Sequence, residues 1–328
     1  IHPGGADAAT LHEVLVPDAS VGAPPDQYSQ QGQDWSQPPW NPQQLAEAGY
    51  GPWRDLLRTV LRHSGGIRVD HVLGLFRLFW LPRMDTPMHG AYMNYDFEAM
   101  VGVLVLEAQR AGAVVVGEDL GTFEPWVQDV LRDKGILGTS VLWFESVPPE
   151  APRPSQQYRN LALTAVGTHD LPPTAGYLEG AHNALRHKLG LVKESLEELN
   201  ATDAVWISQV LAAAQAEGAF DGSPLADVDF LDRDLGEYDD VDTLVEGLTR
   251  FIASTPSAMT CTNLVDMVGD TRIQNQPGTN REMYSNWCIP LCDASGTPVL
   301  IEDLPDVALF QRIAACLLYT SPSPRDKR

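Results

Sequence analysis

The sequence has few basic residues, few cysteines and no long uncharged apolar run. Its 328 residues include 22 Lys and Arg against 44 Asp and Glu, a formal net charge of −22 at pH 7. Nucleic acids and anionic membrane surfaces need a basic footprint, so this charge argues against both as partners. No stretch approaches the roughly 18–20 apolar residues of a membrane span. The charge fits a neutral or cationic ligand, or simply solubility.

The cysteines are too sparse for a disulfide-stapled secreted domain. The chain has four, Cys261, Cys288, Cys292 and Cys316. Such sparse use favours reduced thiols and a cytoplasmic location. Cys288 and Cys292 lack companion Cys or His residues at the spacing of a zinc site, so we predict no metal there. We expect no cofactor either.

Short apolar runs alternate with helical patterns along the chain. The runs are continuous rather than alternating, which is typical of parallel strands covered on both faces by helices. The predicted strands are 67–72, 113–121, 139–145, 161–170 and 258–266. The predicted helices are 95–112, 124–135, roughly 181–217, and 306–318.

An α/β pattern of this kind leaves two architectures open, a (β/α)8 TIM barrel and a doubly wound sheet. A Rossmann-type sheet needs a glycine-rich phosphate loop after its first strand, and the sequence has neither GxGxxG nor a P-loop. The barrel is therefore favoured. Five predicted strands, and a start at Ile1 without an initiator Met, suggest the C-terminal part of a barrel only.

We expect residues 1–316 to form this catalytic portion, with an active-site loop insertion at 22–40. The loop is rich in Pro, Gln and aromatic residues and poor in aliphatic ones, so we do not expect it in the core. Its flat aromatic faces and polar groups suit a sugar, although chance surface aromatics are the alternative. Residues 317–328, a Ser/Pro/basic segment, are expected to be a foreign or disordered tail.

Acidic residues stand where three of the predicted strands end. These are Asp70, Glu118 and Asp170. In a parallel barrel such positions meet at the C-terminal face, where active sites are built. Asp119 follows Glu118 directly, and successive strand residues point to opposite sides, so only one of the two can enter a shared site. The alternative for each acid is a helix cap or a turn.

Paired carboxylates suit glycoside chemistry. One acid protonates the leaving oxygen while the other attacks the anomeric carbon or activates water. Arg68 lies two residues before Asp70 and so points to the same side of the strand. It could keep Asp70 ionised and oriented, as a nucleophile requires, or form a structural salt bridge.

Five segments in order resemble the amylomaltases, the 4-α-glucanotransferases of glycoside hydrolase family 77. "GAPPDQYSQQGQDW" is similar to the active-site loop of that family. "IRVDHVLGL", "VVGEDLG" and "GTHDLPPTAGY" are similar to its strand-end motifs, and "NQPGTNREMYSNW" to its late signature. The resemblance is to the longer bacterial form, without its N-terminal domains. Gln27 departs from the pattern, because some members carry an aromatic residue there.

The resemblance implies a role for each matching position. Asp70 would be the nucleophile, Glu118 the general acid/base and Asp170 the stabiliser of the transition state. The remaining matches are substrate-binding positions: Arg68, His71 and His169 beside the acids, Asp26, Tyr28, Gln33 and Trp35 in the loop, and Asn275 in the late signature.

The implied reaction moves a segment of an α-1,4-glucan to the 4-hydroxyl of an acceptor glucan or glucose. Maltooligosaccharides and α-1,4-glucans would be both donors and acceptors. A retaining double displacement predicts that the carboxyl carbons of Asp70 and Glu118 lie roughly 5–5.5 Å apart. The alternatives are an α-amylase-like retaining hydrolase and an inactive glucan-binding barrel fragment.

Overall fold

The computed structural model describes residues 5–25, 30–121, 123–231 and 233–320. The chain divides into two compact units, Ile1–Thr139 and Ser140–Arg328. The helices and strands of the first unit are α1 (Ala6–Thr10), β1 (Ala19–Ala23), β2 (Gln33–Gln37), α2 (Pro42–Glu47), α3 (Gly51–Leu61), β3 (Gly66–Val69), β4 (Arg77–Pro82), β5 (Ala91–Asn94), α4 (Phe97–Ala111), β6 (Val114–Gly117) and α5 (Pro125–Asp133).

Two kinds of strand pairing occur in the first unit. Strands β3 and β6 are parallel, with Ile67 opposite Val115 and Val69 opposite Gly117. A further parallel bridge joins Val116 to Leu137. A separate antiparallel sheet has the order β2-β1-β4-β5. The parallel pair carries two of the predicted acids directly after its strand ends.

Helices α3 and α4 form the core that supports the parallel pair. Helix α3 buries Trp53, Leu57 and Leu61, which recur every four residues and so share one helical face. The indole nitrogen of Trp53 donates to the carbonyl of Met100 in α4, at 3.0 Å. Helix α4 ends at Gly112, whose φ of 65° is a left-handed conformation that glycine adopts without strain.

Strand β7 (Gly138–Val141) follows, where the chain passes from the first unit to the second. The remaining elements are β8 (Ser146–Val147), β9 (Ala151–Pro152), β10 (Ala162–Ala165), α6 (Thr174–Leu178), α7 (Ala181–Lys188), α8 (Leu196–Ala216), α9 (Val241–Ala253), β11 (Met259–Cys261), α10 (Leu264–Val268) and α11 (Ala308–Thr320). Strands β11, β10 and β7 form one sheet in that order, in which β10 and β11 are parallel. Helices α9 and α11 bury Val245, Leu309 and Ile313 together.

The mixed α/β class and the parallel pairing of the predicted strands are confirmed. No closed barrel is present within the described ranges. The predicted helix 181–217 is two helices, because Gly190 turns the chain at a φ of 68° and Ser195 then caps α8 with Glu198. Among the described residues, no helix is long and apolar enough to cross a membrane.

One boundary prediction was wrong. The segment 22–40 is not all loop, because Gln33–Gln37 forms strand β2 at the edge of the antiparallel sheet. Its polar and aromatic residues suit a half-exposed pleated edge, which needs few aliphatic side chains. The predicted tail, 317–328, overlaps α11, which continues to Thr320. Residues 321–328 lie outside the described part of the chain.

Candidate active site

Asp70 follows the last residue of β3 and is held by Arg68. The guanidinium Nη1 of Arg68 donates to Oδ1 of Asp70 at 2.6 Å. The two residues are two apart on one strand, so their side chains leave it on the same side. The Asp70 side chain is 72% exposed. Its carboxylate is therefore oriented by a cation and still open to a ligand.

His71 turns the chain away from β3 in an unusual conformation. Its φ of 48° and ψ of 54° are left-handed, and a short 3-10 helix, Val72–Leu75, begins directly after it. The turn aims the backbone N–H of His71 at Oε2 of Glu118, at 2.8 Å. The N–H of Val72 donates to the carbonyl of Glu118 at 2.9 Å. This turn therefore links the residue after β3 to the residue after β6.

Both carboxylate oxygens of Glu118 accept a backbone hydrogen bond. Oε2 accepts from His71, and Oε1 accepts from the N–H of Leu120 at 2.7 Å. The Glu118 N–H itself extends the parallel ladder by donating to Val69, at 2.9 Å. A carboxylate oxygen has two lone pairs, so each retains a site for a substrate proton. Glu118 is thus positioned by main chain alone.

The imidazole of His71 lies in a largely buried setting beside the two acids. Burial lowers its pKa, and the negative charges of Glu118 and Asp70 oppose that shift only in part. The indole of Trp35 packs edge-on against it, with ring centroids 5.4 Å apart. A neutral imidazole can donate one hydrogen bond and accept another, which suits a sugar hydroxyl. Through Trp35, strand β2 lies beside the His71 imidazole.

Asp119 serves the fold instead of the site. It is buried, and its Oδ1 accepts the backbone N–H of Thr139 at 2.8 Å. Its Oδ2 accepts from the side-chain amide of Gln128 in α5 at 3.1 Å. Asp119 therefore faces away from Glu118, as the alternation along a strand predicts.

The second unit holds its own polar cluster after β10. Oδ1 of Asp170 accepts from the side-chain amide of Asn275 at 2.6 Å, across 105 residues of sequence. Nε2 of His169 lies 3.3 Å from Oδ2 of Asp170. The Asp170 N–H donates to the hydroxyl of Thr168 at 3.2 Å. The structure thus brings the predicted residues His169, Asp170 and Asn275 together.

Sequence reasoning missed one member of this cluster, Trp287. Its indole packs against the His169 imidazole with centroids 5.3 Å apart and planes tilted by 43°. The indole is exposed, and the backbone there has a φ of 61°. A signal was available, since Trp287 ends the late signature "YSNW" as a large aromatic in a polar loop.

Two of the other predicted substrate residues, Gln33 and Trp35, lie in β2. The indole nitrogen of Trp35 donates to Oε1 of Gln33 at 3.1 Å. Asp26 and Tyr28 lie outside the described residues. In the described part of the chain, no group of three or more His, Cys, Asp or Glu side chains could hold a metal ion.

The arrangement after β3 and β6 can perform acid/base and nucleophilic chemistry. It combines an exposed carboxylate beside a cation with a second carboxylate fixed on the adjacent strand. In the second unit, the cluster after β10 holds a carboxylate bound by an amide, with an aromatic face beside it. Carboxylates, amides and aromatic rings are the groups that recognise and cleave glycosides.

Comparisons with known proteins agree with this chemistry. The profile of the 4-alpha-glucanotransferase family matches residues 1–294. The 4-alpha-glucanotransferase of Mycobacterium tuberculosis is 47% identical over 312 residues, which are 93% of this chain and 41% of that protein. That of Haemophilus influenzae is 32% identical over 292 residues, 87% of this chain and 40% of that protein.

A solved amylomaltase structure is similar to the chain in both sequence and fold. The crystal structure of amylomaltase from Corynebacterium glutamicum superposes with a TM-score of 0.91 at 59% identity, covering 96% of this chain and 44% of that one. The chain spans about two-fifths of the length of the curated relatives it matches, 41% and 40%. On its sequence and on its fold, the chain belongs to the 4-alpha-glucanotransferase family.

Proposed function

We propose that the protein transfers segments of α-1,4-glucans to the 4-hydroxyl of an acceptor glucan or glucose, with retention at the anomeric carbon. The observation that carries this proposal is the pair of carboxylates at the ends of two adjacent parallel strands. Asp70 is held by Arg68 at 2.6 Å, and Glu118 by two backbone N–H groups at 2.8 and 2.7 Å. Membership of the 4-alpha-glucanotransferase family supports the substrate class.

In the first step Asp70 attacks the anomeric carbon of the donor. The C–O bond to the departing glucan breaks, and Glu118 gives its proton to that oxygen. The product is a β-linked glucosyl ester on Asp70. Arg68 fixes the orientation of the attacking carboxylate, which matters because reacting atoms must approach along a defined line.

In the second step the 4-hydroxyl of an acceptor sugar attacks the ester. Glu118, now a carboxylate, takes the hydroxyl proton, and Asp70 leaves as a carboxylate. Two inversions give net retention. The backbone hydrogen bonds of Glu118 hold it in one place through both steps, in which it is first an acid and then a base.

We assign the remaining predicted residues to the sugar. Asp170 stabilises positive charge at the anomeric centre, and Asn275 and His169 hold its carboxylate. His71 binds a sugar hydroxyl. We propose that Gln33 and Trp35, with Asp26 and Tyr28, shield the intermediate from water and position the acceptor, which favours transfer over hydrolysis.

We also propose that the parallel strands are part of a (β/α)8 barrel and that residues 1–316 are its catalytic portion, with 22–40 as an insertion. The TM-score of 0.91 to an amylomaltase supports this architecture. The residues that follow the strands of such a barrel face the substrate, which suits the roles proposed above for Asp70 and Glu118.

The test is incubation of the protein with maltotriose, followed by chromatography of the products. A transferase gives glucose and a ladder of longer oligosaccharides, whereas a hydrolase gives only shorter products. Asp70→Asn and Glu118→Gln should abolish turnover and largely keep maltotriose binding. Shorter products alone would replace the proposal with hydrolysis. Binding without turnover in the unsubstituted protein would indicate a glucan-binding protein.

A further inference from the structure

Trp287 combines a strained backbone with an exposed aromatic ring. Its φ is 61°, in the left-handed region that bulky residues rarely adopt. The residue is 62% exposed, so the strain is not compensated by burial of the ring in a core. A conformation that costs free energy and still leaves a large apolar ring in solvent is typical of a binding site.

The surrounding loop maintains this conformation. The Trp287 N–H donates to the carbonyl of Gln274 at 2.9 Å. The side chain of the preceding residue, Asn286, accepts from the N–H of Gln276 at 2.8 Å and donates to the hydroxyl of Thr279 at 2.8 Å. These bonds hold the loop backbone at Trp287 and at the residue before it.

The indole lies beside polar groups that suit a carbohydrate. Its centroid is 5.3 Å from that of His169, whose Nε2 lies 3.3 Å from Asp170. Asn275 completes the group through its 2.6 Å hydrogen bond to Asp170. A pyranose has apolar C–H faces and a hydroxyl edge, and it is recognised by a flat ring next to hydrogen-bonding side chains.

We propose that Trp287 is a sugar-binding platform, on which one pyranose ring of the α-1,4-glucan stacks beside Asp170. This inference rests on the proposed function and adds to it a residue that determines affinity. Trp287 holds the sugar and takes no part in bond breaking. Its removal therefore weakens binding of maltotriose and leaves the chemical step intact.

The test uses Trp287→Gly. Glycine adopts a φ of 61° without strain, so this variant keeps the turn and loses only the ring. We expect the KM for maltotriose to rise about tenfold, equivalent to about 1.4 kcal/mol, with little change in kcat. Trp287→Phe, which restores a ring, should recover most of the affinity. Trp126→Ala removes another partly exposed indole, in α5, and should leave KM unchanged.

Two outcomes of this experiment would overturn the platform role of Trp287. An unchanged KM in Trp287→Gly would overturn the platform role. A fall in kcat at constant KM would also overturn it, because Trp287 would then act by positioning His169 and Asp170. If Trp287→Gly does not fold, Trp287→Asn serves instead, since asparagine tolerates the left-handed region. Failure of the proposed function gives a different result, because the unsubstituted protein would then fail to convert maltotriose into oligosaccharides of greater length.

Discussion

Replacing Arg68 with methionine separates catalytic orientation from fold stability. The guanidinium contacts Asp70 at 2.6 Å, and the two side chains are 36% and 72% exposed. Exposed ion pairs contribute only about 0–1 kcal/mol to folding. Arg68→Met keeps the aliphatic stem and removes the donor. We therefore expect a small change in the free energy of unfolding, which corresponds to a melting-temperature shift below about 4 °C.

The expected effect on activity is much larger. Asp70 loses the cation that fixes its orientation, and a displacement of about 1 Å at a reacting atom can cost about 100-fold in rate. That factor equals about 2.7 kcal/mol of transition-state stabilisation. The loss should appear in kcat, because the carboxylate remains present and accessible but is misaligned.

The assay is initial-rate glucose release from maltotriose, paired with urea unfolding of the same samples. Arg132→Met is the control, since Arg132 forms exposed ion pairs with Asp129 at 2.7 Å and with Asp133 at 3.0 Å, away from the acids. It should leave activity unchanged. A kcat for Arg68→Met within threefold of the unsubstituted value, or a destabilisation above about 2 kcal/mol, would refute this reasoning.

Two further predictions concern stability. Asp119→Ala leaves the buried N–H of Thr139 and the amide of Gln128 without their acceptor, so urea unfolding should show a loss of about 1–3 kcal/mol. Burial raises the pKa of Asp266 to about 6 from 3.8, so the native state binds this proton more tightly than the unfolded chain and loses stability as pH rises through that window. Asp266→Asn keeps an oxygen that can accept from the Thr174 N–H, which lies at 2.6 Å. The stability of this variant relative to the unsubstituted protein should rise by about 3 kcal/mol between pH 4 and pH 6 and stay constant above pH 6. A flat difference across that range would contradict the assignment.

Local patterns predicted helix α4 but left helices α3 and α9 unpredicted. Helix α4 was expected over 95–112 and spans Phe97–Ala111, because its spaced apolar residues and terminal glycine are local signals. The run 258–266 was expected to be one strand. It is the short strand Met259–Cys261 followed by helix Leu264–Val268, since a brief apolar run has no period that separates the two. The antiparallel sheet was missed because its edge strands, Gln33–Gln37 and Ala91–Asn94, are largely exposed and carry no buried apolar run.

The acids were predicted from their positions, as was the pairing of Arg68 with Asp70, but the partners of Glu118 were not. Strand alternation separated Glu118 from Asp119 correctly, because that rule is local. The backbone N–H of His71 reaches Glu118 only through a left-handed turn that tertiary structure imposes. Trp287 could not be placed beside His169 because 118 residues separate them in sequence. Contacts of that range depend on the fold and leave no periodic pattern.

In the proposed reaction, Asp70 forms the covalent bond to the donor and Glu118 moves the proton. The direct measurement is mass spectrometry of the Glu118→Gln variant after incubation with an α-maltosyl fluoride, whose leaving group needs no acid. The account predicts an increase equal to one maltosyl residue, located by peptide mapping on Asp70 and absent from a variant that also carries Asp70→Asn. An adduct on another residue would contradict the account, as would turnover to a β-configured product with no adduct.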